Sequence, residues 1–191
     1  MTLAFSSSSP IVSVALFDED GALLSAREAE GHKKASGTLL DLLDDLLAEA
    51  GVELDSVSLF AADLGPGSFT GVKVAVTMCK TFAYAQDRPV CGATAFDLID
   101  PSALVAVPSK KSEYFLRAPG EEPETTSEPL ISAIGYGRWF KSPKYPSAAR
   151  FERLLDSCER CEPAALVPYY VAEPSISTPK NPRLMGHTND R

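Results

Sequence analysis

The segment Gly65-Pro66-Gly67-Ser68-Phe69-Thr70-Gly71-Val72-Lys73 gathers glycines, hydroxyls and a lysine in nine positions. Those are the ingredients of a loop that cradles a phosphate at the start of a helix. The spacing excludes three familiar versions of it. A P-loop counted from Gly65 needs glycine where Thr70 stands, with Lys-Ser or Lys-Thr after it. The dinucleotide fingerprint fails because G-x-G-x-x-x-G is one residue too long and no βαβ unit precedes it. A nucleophile elbow fails because the centre of Gly67 to Gly71 is Phe69, not serine. What survives is a strand that ends in a glycine turn and opens a helix, capped by Ser68 or Thr70. Three uses of that turn stay open. Gly65, Gly67, Ser68, Phe69, Thr70 and Gly71 hold an anion on free amides; or Gly65 and Gly67 only supply unusual backbone angles while Gly71 lets the helix pack closely; or the loop is shaped for a protein partner.

The other reactive side chains are sparse. The two histidines, His32 and His187, lie at opposite ends of the chain, so histidine triads and multi-histidine metal sites have few ways to form. Cys158 and Cys161 make a CxxC without a second one, Cys79 falls in an apolar helical run and Cys91 in an expected strand; reduced thiols are the reading, with no metal and no disulfide framework. No catalytic nucleophile or acid/base pair stands out.

Charge adds a further exclusion. The 191 residues carry 18 basic and 26 acidic side chains, a net charge of -8. Residues 1–60 hold 11 acidic and 3 basic groups, whereas residues 136–191 hold 6 acidic and 9 basic. Such a chain is not expected to grip nucleic acid by itself through phosphate neutralisation. Asp44-Asp45 and Lys110-Lys111 read as solvated pairs. The apolar stretches are too short to span a bilayer and no signal-peptide pattern opens the chain, so a cytoplasmic protein without membrane contact is expected.

The elements that must position the glycine loop follow from periodicity. Leu3 to Ser6, Ile11 to Phe17 and Ala22 to Ala29 read as strands, the last two joined by the turn Asp18-Glu19-Asp20-Gly21 as an antiparallel hairpin. A helix runs from about Ala35 to Ala50, leucines on one side and acids on the other, and stops at Gly51. Val57 to Ala62 is a fourth strand. A second helix, Ser68 to Gln86, is apolar on more sides than one sheet can cover, with a narrow polar stripe at Lys73, Thr77, Lys80 and Tyr84. Pro89 to Thr94 is a fifth strand and Ala95 to Ile99 a helical turn. Beyond Pro101 the reading is a hairpin of Leu104 to Val107 with Glu113 to Arg117, an acidic loop from Gly120 to Pro129, a helix from Ser147 to Arg160 and a last strand from Ala165 to Val171.

Three antiparallel strands followed by helix, strand, helix and strand is the order of a ribonuclease-H-like lobe, the half-unit of the actin-like ATPase (ASKHA) architecture. The expected class is therefore α/β, with a complete N-terminal lobe over residues 1–100, a reduced C-terminal lobe over 101–172 and a proline-rich tail over 173–191.

The loop from Gly65 to Val74 resembles the signature of the TsaB (YeaZ) family, bacterial tRNA threonylcarbamoyladenosine biosynthesis proteins, with Lys73 at the place of a usual arginine. Leu3 to Pro10 and Val12 to Leu16 are similar to the family's opening strand pair; His32, Thr38 to Leu47 and Pro89 to Ala95 resemble its histidine, first helix and following strand. The chain departs from the family where Phe5 is followed by serines instead of an aspartate, and where Tyr169-Tyr170-Val171-Ala172 lacks an arginine. The resemblance implies a non-catalytic subunit that pairs with a TsaD-like transferase subunit, joined by a TsaE-like ATPase. It acts on tRNA only through that complex, at the adenosine 3′ of the anticodon in ANN-decoding tRNAs. The cofactor it implies is none of its own, with ATP or ADP at the complex interface. Its partner surface, for TsaD or a second copy, would lie on the two helices: Thr38, Leu42, Asp45, Thr70, Lys73, Val76, Thr77, Lys80 and Tyr84. The competing expectation is an autonomous ATP-dependent enzyme of the same architecture, or a peptidase-like protein.

Overall fold

The structure, a computed structural model, describes residues 1–31, 34–110, 112–128 and 131–171. His32, Lys111 and the whole proline-rich tail lie outside the described residues.

Strands β1 (Thr2–Ser6), β2 (Ile11–Phe17) and β3 (Leu23–Glu30) form the expected antiparallel meander, with Leu3 opposite Leu16 and Ile11 opposite Glu30. Strand β4 (Leu59–Asp63) runs parallel to β1, and β5 (Val90–Ala93) parallel to β4, giving the order β3-β2-β1-β4-β5. The helices α1 (Ala35–Ala50) and α2 (Phe69–Ala85) supply the crossovers. Gly51 ends α1 in the left-handed conformation, as a helix stop should.

Strand alternation sorts the side chains into two layers. Leu3, Phe5, Val12, Val14, Leu16 and Phe60 point to the helix face, where they meet Leu39, Leu43 and Leu46 of α1 and Val72, Ala75, Val76 and Cys79 of α2. Phe82 of α2 stacks on Phe5 and Phe60 at ring-centre distances of 5.9 and 6.2 Å. On the opposite face the strands present mostly alanine: Ala4, Ala15, Ala61 and Ala93, with Cys91. Those small side chains let the segment carrying Ala148, Phe151 and Leu155 lie close against the sheet. Both faces of the central strands are therefore covered, which is why β1 and β4 are buried throughout.

After α3 (Ala95–Ile99) a second sheet begins, with β6 (Val105–Pro108) and β7 (Tyr114–Arg117) forming the anticipated hairpin. Two short strands complete it in the order β8-β7-β6-β9. One of them, β8 (Glu124–Thr126), lies inside the stretch read as an acidic loop, and β9 (Ile134–Gly135) had no signal at two residues long. In β8 the backbone ladder to β7 overrides a side-chain pattern that carries no period.

Two other expectations are corrected. The helix expected over Ser147 to Arg160 is a 3-10 helix, Ala148–Arg153, followed by turns. Ala148 N–H donates to Ser13 Oγ at 2.8 Å and Ser147 N–H to the Leu98 carbonyl at 3.3 Å, which pins the start of the segment against β2 and α3. The last strand, expected over Ala165 to Val171, is not formed. A 3-10 turn, Pro163–Ala165, leads into chain laid along α2, because Pro163 and Pro168 have no N–H to extend a ladder. Leu166 anchors that segment in the helix-face core. Replacing Leu166 by alanine should cost about 2–4 kcal/mol in denaturant unfolding, as a buried leucine does and an edge-strand leucine does not.

Candidate functional site

Strands β1 and β4 are parallel neighbours with Phe5 opposite Ala62, so Ser6 and Asp63 end them at one level. Asp63 is fully buried. Its Oδ2 accepts from Ser6 Oγ at 2.7 Å, from Ser8 Oγ at 2.5 Å and from Ser8 N–H at 3.3 Å, while Oδ1 accepts from Gly65 N–H at 2.8 Å. Burial pushes its pKa above the ordinary aspartate value; the donors, Ser8 Oγ and the Gly65 amide foremost, pull against that rise. One carboxylate thus holds two loops, the serine loop after β1 and the glycine loop after β4.

The two loops also bond directly. Ser68 N–H donates to the Ser8 carbonyl at 2.7 Å, and Ser7 Oγ donates to the Gly71 carbonyl at 2.8 Å. This contact explains two of the glycines. A Cβ on Gly67 would sit 2.2 Å from the Ser8 oxygen, and one on Gly71 would sit 1.8 Å from the Ser7 oxygen. Helix α2 is capped by Ser68, whose Oγ accepts from Gly71 N–H at 3.2 Å; Thr70 lies within the helix and does not cap it.

The anion cradle read from the sequence is narrower than expected. The amides of Gly65, Ser68 and Gly71 are spent on Asp63, Ser8 and the cap, because the serine loop lies where an anion would have met them. Among the described residues, those of Gly67, Phe69 and Thr70 carry no such bond. Above the loops opens a cleft of about 850 Å³. Ser7 to Pro10, Gly67 and Thr70 line one side, and Ser109, Tyr136, Phe140 and Tyr145 the other. Tyr136 reaches across, donating from its hydroxyl to the Ser8 carbonyl at 3.4 Å; burial first, then the nearby Asp63, holds that phenol above the ordinary tyrosine range.

On the helices, Asp45, Thr70, Lys73, Thr77 and Tyr84 are exposed, and Thr38 and Leu42 half-buried. Two residues of the expected partner surface fall elsewhere. Val76 is 5% exposed and packs in the core. Lys80 donates from Nζ to the carbonyls of Leu166 at 3.0 Å and Ala164 at 3.4 Å. The cause is the same for both: the segment from Pro163 to Tyr170 lines a groove along this side of α2. Lys73 sits over the Phe69 ring at 4.0 Å, and Phe69 neighbours Tyr170 at 6.0 Å.

Asp63 was missed by sequence reading, which ended the strand at Ala62. The signal was an acidic residue continuing a wholly apolar strand directly before the glycine turn. Among the described residues there is no group of three or more His, Cys, Asp or Glu side chains that could hold a metal, and no helix long and apolar enough to cross a membrane.

Residues 29–99 match the family model described as TsaD, tRNA N6-adenosine threonylcarbamoyltransferase. A tRNA N6-adenosine threonylcarbamoyltransferase from Novosphingobium aromaticivorans is 29% identical over 136 residues, covering 61% of this chain and 39% of the relative. The tRNA threonylcarbamoyladenosine biosynthesis protein TsaB of Haemophilus influenzae is 40% identical over 52 residues, 27% of this chain and 22% of the relative. The chain thus spans well under half the length of the curated relatives it matches. Two Pseudomonas aeruginosa structures share the fold at 22% identity. One, an uncharacterised protein with similarity to peptidase YeaZ, superposes with a TM-score of 0.77 over 90% of this chain and 99% of that one. The other, YeaZ, gives 0.70 over 88% and 98%.

The chain resembles YeaZ in fold and, over part of its length, TsaB and TsaD in sequence. The resemblance rests on the shared fold and on sequence matches over part of the chain. At the strand ends the carboxylate comes from β4, and the hydroxyls come from the end of β1 and the loop after it.

Two outcomes test this geometry. Gly71→Ala should lose about 3 kcal/mol or more of stability in denaturant unfolding, because backbone must shift to admit the methyl. For Asp63, the raised folded pKa means the native state keeps a proton that the unfolded chain has lost. Its stabilising contribution is full at low pH and declines as pH rises through the folded pKa. The stability of the wild type relative to Asp63→Asn should therefore fall as pH rises out of the aspartate range; a difference that grows with pH contradicts this account.

Proposed function

We propose that the chain is a non-catalytic partner subunit in tRNA threonylcarbamoyladenosine biosynthesis, pairing with a TsaD-like transferase subunit through the outward faces of α1 and α2. The observation that carries this reading is apolar surface that the chain's own sheet leaves uncovered. Leu40 is 45% exposed, and a groove between the helices is lined by Leu40, Leu43, Leu47, Val52, Leu54 and Phe82. Asp44 and Glu53, both exposed, line the same groove, which gives a polar edge to an apolar centre.

The cleft supports the non-catalytic part of the reading. Asp63 is the carboxylate best placed at the strand ends, and its oxygens are already met by four donors from the end of β1 and the two loops. Its role is to hold loops together. A TsaE-like ATPase and tRNA join through the complex in this proposal, in the cytoplasm, and ATP or ADP sits at the junction with the partner. The cleft of about 850 Å³ is the feature that favours the second reading, an autonomous nucleotide-dependent enzyme. Magnesium-dependent ATP turnover by the isolated chain would favour that reading instead.

The decisive test is purification of the native complex. A TsaD-like protein and threonylcarbamoyl transfer to tRNA should come with the tagged chain. Leu40→Asp and Asp44→Arg, both on exposed positions, should each weaken that pairing by roughly tenfold or more while leaving the unfolding midpoint unchanged. Lys80→Glu should behave differently, loosening the segment from Ala164 to Leu166 and lowering the midpoint. Full recovery of the partner by both exposed variants overturns the assignment of the face; a homodimer of unchanged mass with no TsaD-like protein points to a second copy as occupant.

A further inference from the structure

The four cysteines are not scattered. Cys91 lies on β5, Cys79 on α2, and Cys158 and Cys161 on the segment that follows the 3-10 helix Ala148–Arg153. That segment runs beside β5, and Val90 and Cys161 exchange both backbone hydrogen bonds, at 2.9 and 2.8 Å. Because side chains alternate along β5, Val90 and Cys91 face opposite sides of the sheet. Cys161 packs with Val90 and Cys79 on the helix face. Cys158 packs on the alanine face, against the cluster that holds Cys91. Cys158 Sγ also donates to the Gly92 carbonyl at 3.6 Å. The CxxC therefore straddles the strand, and the thiols that share the alanine face are Cys91 and Cys158, distant in sequence.

We propose that Cys91 and Cys158 are a peroxide-sensitive dithiol that closes to a disulfide and staples the chain after Ala148 to β5. Cys158 is half-exposed and Cys91 fully buried, so an oxidant from solvent meets Cys158 first. The neighbouring Cys91 thiol favours the Cys158 thiolate, lowering its pKa, whereas burial and the neighbouring Glu159 and Glu162 raise that of Cys161. The chemistry balances with hydrogen peroxide as oxidant. The Cys158 thiolate attacks one peroxide oxygen, the O–O bond breaks, and hydroxide leaves and is protonated to water. The Cys91 sulfur then attacks the sulfenic Sγ of Cys158; the S–O bond breaks, and the departing hydroxide takes the Cys91 proton as a second water. Two thiols lose two electrons and two protons, and peroxide is reduced to two waters. The closed form would hold the following segment, through Leu166, on its place along α2.

The test is peroxide titration of the full-length chain, with thiol counting, tryptic peptide mapping and thermal unfolding. Cleavage after Arg160 separates Cys158 from Cys161, so each linkage gives a distinct peptide pair. The expected result is loss of two thiols, a peptide joining Cys91 to Cys158, and an unfolding midpoint that rises on oxidation and returns with reductant. Cys161→Ser should retain all of this, and Cys158→Ser should lose it while keeping the reduced-state midpoint. Cys91→Ala provides the second arm, accumulating sulfenic acid at Cys158 that a dimedone probe traps. A dominant 158–161 or 79–161 linkage, or oxidation of Cys158 to sulfinic acid with Cys91 still a free thiol, overturns the proposal.

Discussion

The carboxylate of Asp63 sits at the ends of two parallel strands, and the geometry of the loops above them follows from where it is. An unpaired carboxylate in such a place would be costly, because burial strips its solvent without replacing it. Four donors replace it here, two hydroxyls and two amides, supplied by the end of β1 and by the two loops. Satisfying the buried charge and fixing the serine loop against the glycine loop are therefore the same event. Once the loops are that close, Gly67 and Gly71 become obligatory, since any side chain would enter the carbonyls of Ser8 or Ser7. The start of α2 and its cap inherit their position from this junction.

The same junction limits what the cleft can do. Amides that would otherwise meet an anion are turned to the partner loop, and the carboxylate that would otherwise meet a cation is turned to serines and glycine. The chemistry available at these strand ends is used to hold structure. That is in keeping with the proposed non-catalytic role, and it moves attention from the cleft to the helices. On the helices the decisive fact is again an internal contact. The segment from Pro163 to Tyr170 lies along α2, buries Leu166 and takes the Lys80 ammonium on its carbonyls, so that side of α2 is occupied by the chain itself.

Much of the five-stranded sheet was legible from local pattern. The β-branched run Ile11 to Phe17, the turn at Asp18 to Gly21, the leucine stripe of α1 and the stop at Gly51 each carry their own signal, and each element formed within two residues of its expected bounds. Legibility failed where an element owes its conformation to a distant neighbour. Glu124–Thr126 is a strand because β7 offers a ladder, and Ala148–Arg153 is pinned at its start by hydrogen bonds to Ser13 and Leu98. Val76 looks like any apolar residue near a polar stripe, and only the returning segment makes it core.

By itself the sequence determined the order and type of the main elements, carried the glycine loop that resembles the TsaB signature, and excluded the spacing of a P-loop. These depend on periodicity and spacing along the chain, which are local quantities. Tertiary structure alone decided that Asp63 stands beside Ser6 and Ser8, that α2 is half covered by the chain's own later segment, and that Cys158 packs on the face of Cys91 and not with Cys161. Each of those is a contact between residues far apart in sequence, set by which strands pair and which face of a strand a side chain takes. A single sequence records neither pairing nor face until the sheet has brought the two ends together.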